Sequence, residues 1–293
     1  MKKTLLLSAL LSVAAVANAQ DDLMNVLDEG APKERSFVSA TFKGTRLVNM
    51  HTIETQGKRT LNFMIMHRFG TVNGGAYQFF GIDGGASIRL GLEYSYDGRL
   101  EIGLGRTSVG KMMDLYAKYR ILRQTTNKSD MPVSLTAYAG SYYSTLKRSV
   151  NGVDVYADEK NRLAYNGQLI LGRKFSERLS AQVAPYVLYY NLTELKADNH
   201  LNYGVASALR YKINRRTAIT AEYAYRLNNY SAANTYYNSL GVGIDIETGG
   251  HVFQMHFTNS FGLVESQFLA QTTDTWQNVG IRLGFNISRA FAL

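Results

Sequence analysis

The chain has no cysteine, three prolines and one tryptophan, and beyond its first residues no apolar run reaches the length of a membrane-spanning helix. Without cysteine there are no disulfides, no thiolate metal sites and no lipid attached at a cysteine. Few prolines leave long stretches free to pair as strands. Without spanning helices, any crossing of a membrane falls to β-strands, which cross with alternating residues.

The first residues stand apart. Lys2 and Lys3 precede "TLLLSALLSVAAV", and Ala17-Asn18-Ala19 has the small-residue pattern of a secretory cleavage site. Residues 1–19 are therefore expected to be a signal peptide cut after Ala19. Removing its two lysines from the 32 basic residues leaves 30 against 23 acidic, a mature charge of +7. A basic exported chain points to anionic lipid or a small anionic solute, and away from nucleic acid.

Residues 20–56 do not share the pattern of the rest. "DDLMNVLDEG" reads as a short helix ended by Gly30, "APKER" as a linker, and "SFVSATFKGTRLVN" as one more extended piece. The whole region reads as a periplasmic extension or a plug. From residue 57 the chain alternates with period two in segments of about ten residues, the length of a tilted spanning strand. In "ASIRLGLEYS", Ile88, Leu90, Leu92 and Tyr94 share one face, opposite Arg89 and Glu93. "KMMDLYAKYRIL", "TAITAEYAYRL" and "VGIRLGFNI", the last with Val279 and Ile281 on its apolar face, repeat the pattern. About twelve such strands are expected over 57–293, an antiparallel transmembrane β-barrel.

Short turns at "DGR", "SER", "RRT" and "GG" take turns with longer connections such as "GTVNGGAYQFFGIDGG" and "SFGLVESQFLAQTTDT". That places both termini on the short-turn side of an even-stranded barrel. The apolar face carries almost no charge, which suits lipid, where a misplaced cation costs roughly 2 to 4 kcal/mol at mid-bilayer.

The stretch "DIETGGHVFQMHFTNS" contains His251 and His256 near Asp245 and Glu247. A Gly249-Gly250 turn pairs Thr248 with His251, Ile246 with Phe253, Asp245 with Gln254 and Gly243 with His256. The two histidines then point to opposite faces and cannot share a metal. His256 and Thr258 do share a face, and "HFTNS" resembles the His-x-Ser-Asn stretch of outer-membrane phospholipase barrels, with threonine at the serine position. "GLGRTSVGK" imitates a phosphate loop but bridges two strands instead of opening a helix. The glycines at 91, 103, 105, 241 and 243 are expected to relieve crowding inside the sheet.

The expected inward-facing charges are Arg89, Lys118, Arg120, Arg210, Lys212, Arg226 and Arg282 against Glu93, Glu101, Asp114, Glu222 and Asp245, with His256 among them. They read as ion pairs bracing a closed barrel, or as a modestly cationic pathway that favours anions. In "LNFMIMHRF" both faces are apolar, so its facing stays open. No catalytic residue, metal or cofactor is expected.

"ATFKGTRLVNMHTIET", "HRFGTVNGGAYQFFGID", "GRKFSERLSAQ", "DIETGGHVFQMHFTNS" and "LGFNISRAF" together resemble an uncharacterised family of bacterial outer-membrane-type β-barrels, classed as a domain of unknown function. The resemblance runs from about residue 38 to the carboxyl end. It implies a barrel in the outer membrane of a Gram-negative bacterium, with outer-membrane lipid and the barrel assembly machinery as partners. It brings no activity. Three functions stay open: a channel or transporter for small solutes, a closed structural or surface-interaction barrel working through its outer loops, and, remotely, a lipid hydrolase.

Overall fold

The computed structural model describes residues 36–293 apart from 127–130, 151–152, 155 and 232. Among these residues the chain forms fourteen strands: β1 (Thr60–Thr71), β2 (Ser87–Ser95), β3 (Leu100–Thr107), β4 (Met112–Leu122), β5 (Ser134–Ser144), β6 (Ser149–Val150), β7 (Val153–Asp154), β8 (Leu163–Lys174), β9 (Leu179–Tyr190), β10 (Leu201–Lys212), β11 (Thr217–Arg226), β12 (Ser239–Thr248), β13 (His251–Thr258) and β14 (Arg282–Ala292). All but β6 and β7, which pair with each other in a loop, join one closed antiparallel barrel of twelve strands. The barrel closes where β1 pairs with β14, from Thr60 opposite Ala292 to Thr71 opposite Arg282. Closure leaves no unpaired edge, which a sheet in lipid requires.

Alternation sets the two faces of the wall. Leu92 is 47% exposed and Leu115 52%, while Arg89, Glu93 and Lys118 on the opposite face are fully buried. Tertiary pairing also resolves the strand whose facing the sequence leaves open: Asn62 sits opposite Glu93 and Met66 opposite Arg89. Asn62, Met64, Met66 and Arg68 are therefore inside, and Phe63 is outside. Charged side chains on the outer face stand at strand ends, where Arg173 lies over Phe175 and Arg289 over Phe291. Such placement lets a long cation reach the polar boundary of a bilayer.

The β12–β13 hairpin has the expected register at every pair, from Thr248 with His251 to Gly243 with His256. Gly249 there adopts φ +52°, the left-handed region the tight turn needs. Gly241 faces inward, and a Cβ on it would stand 2.9 Å from Val48, so its missing side chain makes room for the chain inside.

Three expectations are corrected. The stretch "SFVSATFKGTRLVN" is not extended over its described length, because residues 41–50 run through successive bends and an isolated bridge joins Arg46 to His51. The last strand starts at Arg282, later than its pattern suggests, since Val279 turns the chain at φ +55°. The β13–β14 connection, residues 259–281, does not project from the barrel: Leu263, Val264, Phe268, Leu269 and Ala270 are buried, with a short helix α1 (Glu265–Phe268) among them.

Candidate functional site

The barrel interior is filled by two pieces of chain. Residues 41–56, the inner segment, turn back on themselves there: Leu47 N–H donates to Met50 O (3.0 Å) and Thr52 N–H to Thr45 O (2.8 Å). Bends leave backbone groups without ladder partners, and inside a barrel they need other ones. The wall supplies them.

On β11 the Glu222 carboxylate accepts N–H bonds from Asn49 (2.9 Å) and Met50 (3.0 Å) and a third bond from the Asn49 amide. On β14 Asn286 donates to Leu47 O (2.7 Å), and on β1 Arg68 donates to Val48 O (2.6 Å). Gln254 on β13 reaches Arg46 O (3.1 Å), and Gln182 on β9 both donates to His51 O (2.8 Å) and accepts from Ile53 N–H (3.1 Å). On the remaining side, Thr136 of β5 donates to Ile53 O (2.8 Å), Lys118 of β4 to Glu54 O, and Glu101 of β3 accepts from Gln56 N–H (2.8 Å). Glu93 of β2 accepts from the Thr45 hydroxyl (2.6 Å), Tyr116 (2.6 Å) and Asn62 (2.8 Å). Carboxylates thus meet N–H groups and cations meet carbonyls. Hydrogen bonds to an ionised partner contribute about 1.5 to 3 kcal/mol each.

The second piece enters from the long-loop end. Glu265 of α1 accepts from Arg46 Nη1 (3.0 Å) through one oxygen and from Tyr142 (2.9 Å) and Tyr138 (3.3 Å) through the other. Arg46 also donates to Asn49 O (2.8 Å) and lies 5.7 Å from the Tyr116 ring centre. Arg46 and Glu265 are both fully buried, so the pair ties the two inserted pieces together out of water. Removing one partner of such a pair leaves a buried unpaired charge. Beside it, His51 packs between Tyr116 and Tyr138, each ring centre 4.5 Å away. Burial, and then the positive charges of Arg46, Lys118 and Arg89, lower the imidazole well below its usual range, and it stands neutral.

All thirteen charged or histidine residues expected inside lie on the inner face, and only some of them pair with one another. Arg89 bonds Asp114 (2.9 Å) and Lys118 lies 3.5 Å from Glu101, both within the wall. Arg120 pairs instead with Glu54 of the inner segment (3.2 Å), Arg210 with Glu247 (3.6 Å) and Arg282 with Asp274 (2.5 Å). Arg226 donates to Ala270 O (3.1 Å), and Asp245 accepts from Gln254 (3.1 Å). Lys212 is half-buried at the end of β10. Glu93 and Glu222 serve the inner segment and make no ion pair with a wall cation among the described residues.

His256 is buried between β12 and β14, opposite Gly243 and Gly284. Its neighbour on that face, Thr258, is also fully buried, and its hydroxyl accepts from Ser260 N–H (3.2 Å). Neither faces lipid. Among the described residues no three His, Asp or Glu side chains gather as a metal site.

Arg46, Arg68, Asn49 and Glu265 were not among the expected site residues. Arg68 lies on the strand whose facing is ambiguous, and Glu265 lies on a connection that reads as an outer loop. The local pattern holds no sign that Arg46 and Glu265, 219 residues apart, would meet.

A family model described as a membrane bound beta barrel domain, DUF5777, matches residues 42–291 and so takes in the inner segment together with the wall. No curated protein matches the chain significantly. Among solved structures, an outer membrane channel from Pseudomonas putida F1 is similar in fold at 13% identity, covering 82% of this chain and 98% of that one with a TM-score of 0.50. The NanC porin aligns at 11% identity over 80% of this chain and 100% of that chain, TM-score 0.49. An active-site mutant of outer membrane phospholipase A from Escherichia coli aligns at 10% identity over 80% and 91%, TM-score 0.42. The chain belongs to the DUF5777 family of membrane-bound β-barrel domains.

Proposed function

We propose that the protein is an outer-membrane channel for small solutes, held shut by its own inner segment, with the short turns on the periplasmic side and the long loops outside. Twelve strands enclose more space than the eight whose inward side chains fill a barrel. The observation that carries the reading is how the extra space is filled. Residues 45–56 are held from around the wall by hydrogen bonds, many onto their backbone, and are joined covalently to it through residues 57–59, which lead into β1. Charged groups that hold a backbone in this way can exchange it for water when the segment leaves, which leaves a polar lumen behind. The arginines and lysines of that lumen would then favour anions during conduction.

The test is single-channel current across a planar bilayer, comparing the mature chain with a variant lacking residues 20–56, each first shown to be folded by heat-dependent migration. The intact chain is expected to open rarely and the shortened one to conduct in steady steps with anion preference. A folded shortened barrel without current would move the function to the outer loops.

A further inference from the structure

On the outer wall, where β12, β13 and β14 lie side by side, a groove of about 390 Å³ is lined by Ile246, Phe253, Met255, Leu283, Phe285 and Ile287. Alternation turns these side chains away from the lumen: Met255 is 58% exposed, while its neighbours Gln254 and His256 are buried. Rings fix one side of the groove, for His67 of β1 stacks on Phe285 at 5.0 Å and meets Phe69 edge to face at 4.5 Å.

The groove ends in cations. Two residues farther along the same strands, toward the short turns, His251 stands opposite Arg289. Arg289 lies 4.9 Å from the Phe291 ring centre, with Phe63 of β1 opposite it on the other side. The His251 ring stacks on Phe253 at 5.9 Å. Neither Arg289 nor His251 has a hydrogen-bond or ion-pair partner among the described residues, and the exposed Lys58 and Arg59 leading into β1 have no acidic partner there either. The acids of the hairpin, Asp245 and Glu247, are turned to the inner face, where Glu247 is held by Lys43 (2.7 Å) and Arg210 (3.6 Å).

A cation at the edge of lipid with no counterion from the protein is matched by a phosphodiester. The arginine fork takes two of its oxygens and a histidine N–H reaches a further one. The spacing fits a lipid as well. From Leu283 to Arg289 the strand advances six residues, about 20 Å at about 3.3 Å each. Tilted by about 40°, it descends about 15 Å, half of a hydrocarbon core about 30 Å thick. Groove and cations thus span one leaflet, from acyl chain to phosphate. The local excess of positive charge selects an anionic headgroup over a zwitterionic one, whose ammonium would approach Arg289, Arg59 and Lys58.

We propose that this face of the barrel holds one anionic phospholipid, its phosphate at Arg289 and His251 and an acyl chain along the groove. With the short turns on the periplasmic side, the lipid comes from the periplasmic leaflet. The site needs the barrel to lie in a membrane but not to conduct, so a barrel that stays shut leaves it standing.

The test is native mass spectrometry of the mature protein in detergent with dioleoylphosphatidylglycerol or dioleoylphosphatidylcholine, each variant first shown to be folded by heat-dependent migration. One phosphatidylglycerol should stay bound, about tenfold more tightly than phosphatidylcholine, as one charge-assisted contact provides. Arg289→Gln should erase that preference. Met255→Trp, which fills the groove and leaves the cations in place, should weaken phosphatidylglycerol binding severalfold. Arg215→Gln, on the β10–β11 turn outside the site, should change nothing. The proposal is overturned if the two lipids bind equally, if either site variant binds phosphatidylglycerol as the parent does, or if Arg215→Gln weakens it as much as Arg289→Gln. Lipid-free dimers in the same spectra would give the groove to a second copy of the chain and overturn it too.

Discussion

The two pieces of chain inside the barrel are held by different chemistry. The inner segment is gripped largely by ionised or amide side chains of the wall, Glu222, Arg68, Glu101 and Lys118 among them, acting on its backbone. The insert around α1 makes its own helical turn, buries Phe268 and Leu269, and receives mainly tyrosine hydroxyls from the wall. It is also fastened at both ends, to β13 and β14. Water can replace hydrogen bonds to charged groups, but it offers nothing for lost apolar burial. The inner segment buries Phe42, Leu47, Val48, Met50 and Ile53 as well, so what sets it apart from the α1 insert is that its backbone is held by wall side chains that can turn to water, while the insert is tied to the wall at both ends.

The largest expected effect separates the two directly. Phe268→Ala should cost about 3 to 5 kcal/mol, as for other buried aromatics. The loss should appear as earlier thermal melting of the insert, followed by the fluorescence of Trp276 on the same connection, with no steady current. Steady opening in this variant would erase the distinction between insert and gate.

Next, Glu222→Ala removes the acceptor of three hydrogen bonds from Asn49 and Met50. A loss of about 3 kcal/mol in seating the segment is expected, roughly a hundredfold rise in the fraction released. Protease cleavage at the otherwise buried Arg46 would report it. Unchanged protection would mean that the segment is held mainly by its apolar side chains.

Arg46 and Glu265 join the two pieces, so their coupling should be smaller than either grip. A double-mutant cycle of Arg46→Gln with Glu265→Gln, read by chymotrypsin cleavage at the buried Phe42 of the same segment, should give an interaction of about 1 to 3 kcal/mol. Additive effects would show that gate and insert act independently.

The smallest effect is a pH dependence. Seated, the His51 imidazole is lowered well below its usual range, and on release it regains a value near 6.5. The released state then binds the extra proton. Seating is unaffected above about pH 6.5 and weakens as pH falls below it, by roughly 1.4 kcal/mol per pH unit until the seated ring itself protonates. Cleavage at Arg46 should therefore rise on acidification, and His51→Gln should flatten that rise. An equal rise in the variant would assign the dependence to other groups.

Much of the wall was legible from residues alone. "ASIRLGLEYS" declares its two faces because a strand sends neighbouring side chains to opposite sides, whatever lies beyond. The same rule placed His256 inside, and the Gly249-Gly250 turn set its hairpin register. Where alternation fails, as in "LNFMIMHRF", only pairing with β2 decided that Arg68 faces inward. The inner charges could be located on the correct face, but most of their partners could not be named.

By itself, then, the sequence determined the period, the strand number, the lipid-facing side and the closed class of fold, because each follows from local backbone geometry repeated along the chain. The tertiary structure alone decided that residues 41–56 and 260–275 enter the barrel and meet at Arg46 and Glu265. Asn286 meets Leu47 across 239 residues, and Arg46 meets Glu265 across 219. Such meetings depend on which backbone groups remain unpaired once the barrel has closed, a property of the whole enclosure that no stretch of sequence carries.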